Sequence, residues 1–185
     1  MKTQRYKHPV AAVAIAICLA VPAVAQEEAG LDDLFGALAE ADTSSAERIE
    51  QKIWSEWSKS GSDAMDLLLE RGREALEGGE VEMAIGHFSA LIDHAPGFAE
   101  GYNARASAYF QAGRFGPSLE DIRQTLALNP RHFGALSGLG LILEDLGNES
   151  GALEAYRAVE ELYPAQEGLR EKIDRLERAL EGERT

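Results

Sequence analysis

The stretch AEGYNARASAYFQAGRFGPSLEDIRQTLALNP, residues 99–130, decides how this chain is read. It ends on Pro130, and Pro96 and Pro164 stand 34 residues before and after that proline. When windows beginning at Met65, Ala99 and Phe133 are laid in register on the prolines, small residues align: Gly72, Ala106 and Gly140, then Gly79, Gly113 and Gly147, then Ala84, Ser118 and Ala152. Large apolar residues align too, Leu68 with Tyr102 and Leu136 near each start, and Phe88 with Ile122 and Tyr156 in each second half. A unit recurring at fixed length cannot bury its apolar face alone, so successive units must stack.

Each window reads as helix, tight turn, helix. Gly72, Ala106 and Gly140 fall mid-helix, where a larger side chain would hold two helices apart, and Gly79, Gly113 and Gly147 can close the first helix in a left-handed conformation. The second helices carry apolar faces at helical spacing: Ala84, Phe88, Leu91 and Ile92; Ile122, Leu126 and Leu128; Ala152, Leu153, Tyr156 and Val159. Pro96, Pro130 and Pro164 stop these helices, since proline has no amide hydrogen to continue the ladder. Pro117 falls in a first turn, where that amide is unpaired anyway. Arg71 and Arg105 occupy matching places, and Asp121 stands opposite Arg105. This predicts an Arg105–Asp121 contact within the second repeat, against the alternative of two solvated charges.

An aromatic, a small residue, an aromatic, a small residue, an aromatic and a closing proline across 34 positions resembles the tetratricopeptide repeat (TPR) pattern, and residues 99–130 match it best. The resemblance implies an all-α, right-handed TPR solenoid. Three helix-turn-helix repeats, about 65–98, 99–132 and 133–164, would occupy residues 63–164, with N-terminal helices in 26–62 and a C-terminal capping helix in 165–185. It also implies that the first helix of each pair lines a concave side where peptides or partner helices bind. Carried over position by position, this nominates Asp66, Leu69, Arg73 and Glu77, then Glu100, Asn103, Ser107, Phe110 and Gln111, then Ser137, Leu141, Glu144 and Asp145. The repeats contain no lysine, which departs from the subgroup of the family that grips chaperone C-termini through a carboxylate clamp.

Met1 to Ala25 reads as a secretory leader: Lys2, Arg5 and Lys7, an apolar run from Val10 to Val21, then Ala23-Val24-Ala25 before Gln26. The run is shorter than the roughly 20 residues that span a bilayer. Cys18, the one cysteine, follows Ile17 rather than a small residue, which argues against lipidation; without it a disulfide framework is excluded. The leader holds three basic residues and no acidic one, so its removal makes the net charge of −14 three units more negative. Such a field repels nucleic acid and anionic lipid and favours cationic partners.

Gln26 to Gly30 reads as a loose arm, and Leu31, Leu34, Phe35 and Leu38 mark a short amphipathic helix that either folds back over the first repeat or docks on another protein. Ser44 and Glu47 have capping-box spacing for a second helix, to about Lys59, with Ile49, Ile53, Trp54 and Trp57 on its face. The tryptophans are expected to cover the first repeat rather than to anchor a partner. Ser58 to Ser62 is a break, and Asp63 and Asp66 suit the next helix's N-terminal dipole. After Pro164, Leu169, Ile173, Leu176 and Leu180 predict a helix that seals the third repeat, and Glu181 to Thr185 are expected to fray.

No catalytic constellation emerges. His87 and His94 would lie about 10 Å apart along one helix, too far to share a metal, and His132 falls in a turn. The expected function is a non-catalytic protein–protein interaction module in the bacterial cell envelope, periplasmic or secreted. It would use no cofactor or metal, bind no nucleic acid, and take a protein or peptide partner of basic character. The alternative is a helper domain that binds a small molecule or cell-wall fragment in a pocket near Phe110, Leu141 and the terminal helix.

Overall fold

A computed structural model describes residues 23–182. Residues 1–22 of the expected leader, with Cys18, fall outside the described residues, while Ala23–Ala25 are the start of α1; of Glu181–Thr185, expected to fray, Glu181 and Gly182 close α9 and 183–185 fall outside the described residues. Within them the chain forms α1 (Ala23–Ala39), α2 (Thr43–Trp57), α3 (Asp63–Glu77), α4 (Val81–His94), α5 (Ala99–Gln111), α6 (Phe115–Leu128), α7 (Phe133–Asp145), α8 (Glu149–Leu162) and α9 (Leu169–Gly182). No described residue is in a strand. The all-α TPR solenoid expected from the sequence is the observed fold, with α3/α4, α5/α6 and α7/α8 as the three repeats. No helix among the described residues is long and apolar enough to cross a membrane.

The repeated glycines act as the sequence implies. Gly79, Gly113 and Gly147 have φ of 78°, 70° and 72°. After each, the next amide reaches back five residues at 2.8 Å: Glu80 to Ala75, Arg114 to Tyr109, Asn148 to Leu143. That is a Schellman closure, which satisfies carbonyls the helix end would leave open. Gly72 and Gly140 serve close approach instead. A Cβ on Gly72 would lie 2.2 Å from Phe88 Cε1, and one on Gly140 would lie 2.5 Å from Tyr156 Cε1. The second repeat tolerates Ala106 because Ile122 replaces the ring there. Arg105 donates to Asp121 through Nε and Nη2, both at 2.8 Å, and to Ser89 Oγ at 3.1 Å, so the anticipated contact ties α5 to α6 and α4.

Four expectations are corrected. The loose arm at Gln26–Gly30 is part of α1. The N-cap of α2 is Asp42 rather than Ser44, since its carboxylate accepts from the Ser45 amide at 2.8 Å. Leu128 is 39% exposed, because α6 ends there and the chain turns away at Asn129. Most consequentially, α1 and α2 pack on the third repeat, not the first. Phe35, Leu38 and Ile53 join one core with Phe133, Val159, Tyr163 and the buried Leu169, Ile173 and Leu176 of α9. The first repeat offers little to cover, since α3 turns Glu70, Glu74 and Glu77 to solvent. The aromatic surface between Phe133 and Tyr163 needs the lid. Tyr163 donates its hydroxyl to Glu50 of α2 at 3.0 Å.

Gly72→Ala is expected to cost about 1–3 kcal/mol by overpacking, and the same substitution at Gly86, whose added Cβ would meet nothing within 4 Å, to be neutral or stabilising by up to about 1 kcal/mol. Urea denaturation of both variants checks this. In a Gly72→Ala background, Phe88→Ile should cost less than in the wild type. Burial and the hydrogen bond to Glu50 hold the Tyr163 hydroxyl protonated above its ordinary value near 10. Because the folded value is raised, its contribution is complete below pH 10 and fades as pH rises beyond it. A plot of Tm against pH should fall less steeply above pH 10 for Tyr163→Phe than for the wild type.

Candidate functional site

The first helices of the repeats, α3, α5 and α7, stand side by side and leave a groove of three connected clefts. Between α5 and α7 lies a cleft of about 240 Å³. Asn103, Ser107 and Phe110 form one wall, Gly138 and Leu141 the other, and Ile122 of α6 the floor. Small residues at Ala106, Ala135 and Gly138 open the space, and no charged side chain lines it. Through Asn103 and Ser107 it joins a cleft of about 460 Å³ bounded by Arg73, by Trp54 of α2 and by Ser58 at the C-cap of that helix. Through Ser58 and Arg73 that one joins a third, of about 400 Å³, walled by Asp66, Glu70, Glu74 and Glu77.

The edge of the groove is held by a buried carboxylate. Glu100, 3% exposed, accepts from Arg73 Nη2 at 2.5 Å, from Asn103 Nδ2 at 3.1 Å and from His132 Nε2 at 3.0 Å. His132 Nδ1 accepts the Ala135 amide at 3.2 Å and so caps α7. That leaves Nε2 to carry the hydrogen donated to Glu100. The indole of Trp57 stacks on the imidazole at 4.2 Å and 19°, and Trp54 meets it edge-on at 5.4 Å. Arg73 also donates to Ser58 at 3.0 Å. Thus α2 is fastened to the groove's rim by aromatic packing and one ionic cluster.

Of the residues nominated from the sequence, Asn103, Ser107, Phe110, Ser137 and Leu141 come together around the α5/α7 cleft, and Asp66, Arg73 and Glu77 around the α3 end. Gln111 and Asp145 are exposed near the ends of α5 and α7. Glu144 is half-buried and taken up by Arg175 of α9 at 2.5 Å. Leu69 and Glu100 are corrections: at 1% and 3% exposure neither presents a surface to a partner, Leu69 because it fills the core of the first repeat and Glu100 because its oxygens are occupied. Reasoning from sequence missed His132 and the two tryptophans as parts of the rim. The contacts that make them a rim, His132 to Glu100 and the tryptophans to His132 and Phe133, span more than thirty residues, and no local spacing signals them.

A model of the tetratricopeptide repeat matches residues 69–116 and 103–167. A TPR repeat-containing protein of Rhizobium etli is 36% identical over 156 residues, covering 84% of this chain and 76% of that protein. The chain belongs to the tetratricopeptide repeat family. Small glutamine-rich tetratricopeptide repeat-containing protein 2 of Saccharomyces cerevisiae is 28% identical over 62% of this chain, which spans only 33% of its length. Among solved structures, the first TPR of Spaghetti (RPAP3) bound to an HSP90 peptide is similar at a TM-score of 0.60 and 27% identity, covering 63% of this chain and 92% of that one.

Replacing Glu100 by Ala leaves buried donors on Asn103 and His132 without an acceptor and should cost about 2–3 kcal/mol. Because Trp57 stacks on His132, tryptophan emission should shift to longer wavelength in the same variant, while Glu100→Gln, which keeps an acceptor, should shift it less.

Proposed function

We propose that this protein is a non-catalytic adaptor of the bacterial cell envelope that holds a peptide or helix of another protein in the groove along α3, α5 and α7. The observation that carries the reading is the groove itself. Helix α2 rims it at one edge and leaves the α5/α7 cleft unfilled, with Leu141 39% exposed inside it. The peptide held by the RPAP3 domain, a structure similar to this one, supports the same use of the fold. The envelope location rests on the leader-like Met1–Ala25 segment.

The small-molecule alternative is weaker on two counts. The α5/α7 cleft, at about 240 Å³, is below the roughly 300–1,000 Å³ of sites that enclose a ligand. It does contain Phe110 and Leu141, but no residue of α9 lines it, so the terminal helix does not close it.

A photo-crosslinking residue at Ser107 or Leu141 should capture a protein partner in living cells, and one at Met83 of α4 should not. Ser107 and Leu141 are suited to this because they are exposed and outside the Glu100 cluster, whereas Arg73 and Asn103 belong to it. Equal capture from all three positions, or from none, would reject the groove. Fractionation and N-terminal sequencing should find the mature chain outside the cytoplasm and beginning at Gln26.

A further inference from the structure

Resting on the groove reading above, we infer that the occupant is a segment in which Lys or Arg residues precede or follow a bulky aliphatic anchor, the cations lying over α3 and the anchor seated between α5 and α7. Three observations converge on this chemistry.

The first is a gradient of polarity along one continuous groove. At the α3 end Glu70, Glu74 and Glu77 are exposed, and none of them enters an ion pair among the described residues. The one cation there, Arg73, is taken up by Glu100. At the α7 end the cleft is apolar and uncharged. An acidic tail would meet unpaired carboxylates and no free cation at one end, and a hydrophobic wall at the other. A cationic and aliphatic segment matches both ends.

The second is Asn103, which sits where the apolar and mixed clefts meet and lines both. It is 8% exposed. Its Nδ2 donates to Glu100, which fixes the amide plane, and its Oδ1 has no donor among the described residues. A held carbonyl oxygen between the two clefts is placed to accept a main-chain N–H from a peptide running through them.

The third is spacing. Packed helices stand about 8–10 Å apart, so the α5/α7 cleft lies roughly 12–15 Å from α3. At about 3.3 Å per residue of extended chain, the cations and the anchor are separated by about four residues. Each exposed charge pair adds little alone, but two or three together amount to roughly tenfold in affinity.

The test measures fluorescence polarisation of labelled peptides on the chain beginning at Gln26. One set carries Leu-Leu about four residues from Lys-Arg, in both directions; a matched set carries Glu-Glu in place of Lys-Arg; a third probe is the acidic HSP90 peptide SRMEEVD. Tighter binding of a cationic peptide by roughly tenfold, reduced by salt, abolished by Leu141→Glu and brought level with the matched set by the triple change Glu70→Gln, Glu74→Gln and Glu77→Gln, is the expected result. Equal or tighter binding of the acidic probes, still dependent on Leu141, overturns the assigned chemistry while the groove stands. Binding of none, or binding indifferent to Leu141→Glu, overturns both. Self-association in sedimentation that Leu141→Glu abolishes gives the groove to a second copy. Binding by the chain from Gln26 that the full-length chain blocks in cis gives it to the chain's own leader. Either result overturns a foreign occupant.

Discussion

The buried carboxylate of Glu100 is the constraint on which the arrangement of this molecule turns. A charge taken out of water is costly unless every lone pair is used, and here the donors come from three places: Arg73 of the first repeat, Asn103 of the second, and His132 at the entry to the third. Trp57 of α2 stacks over the buried imidazole of His132. One side chain therefore makes the register of three repeats and the seat of the N-terminal helices mutually dependent. Repeat stacking alone couples only neighbours; this cluster adds a link from first to third.

That link shapes the groove. Because α1 and α2 are drawn to the aromatic surface at Phe133 and Tyr163, α2 rims the groove at the edge where α5 and α7 begin and leaves the α5/α7 cleft unfilled. Trp54 comes so close to α7 that a Cβ on Gly134 would lie 2.6 Å from its ring, so glycine at that position sets how near α2 can sit. The α3 end of the groove is left acidic by Glu70, Glu74 and Glu77, while the space between α5 and α7 is left apolar by Ala106, Ala135 and Gly138. A groove built this way differs along its length because each repeat supplies different residues to the same geometric place.

Much of this was legible in advance, and the reason lies in the kind of signal. The glycines at 79, 113 and 147 are read correctly because a left-handed turn leaves few alternatives to glycine, and Gly72 and Gly140 because an aromatic ring fills the space opposite. The Arg105–Asp121 contact follows from two residues in facing helices of one repeat. Leu69 and Glu100 depart from the expectation because position within a repeat says which helix face a residue occupies, but not whether a neighbour already covers it. The N-terminal helices dock at the opposite end of the stack from the one expected for a related reason: amphipathic spacing shows that Phe35, Leu38 and Ile53 need a partner without naming it.

The number of repeats, the helix–turn–helix form of each and the family follow from the order of residues alone, since these rest on short-range rules: periodicity, left-handed glycines, proline stops. Where α1 and α2 dock, that the turn residue His132 is buried and caps α7, and which nominated residues remain open to a partner emerge only in the folded molecule. Those outcomes depend on which apolar surface is left uncovered once all the helices have packed, a property of the assembled whole that no local spacing encodes.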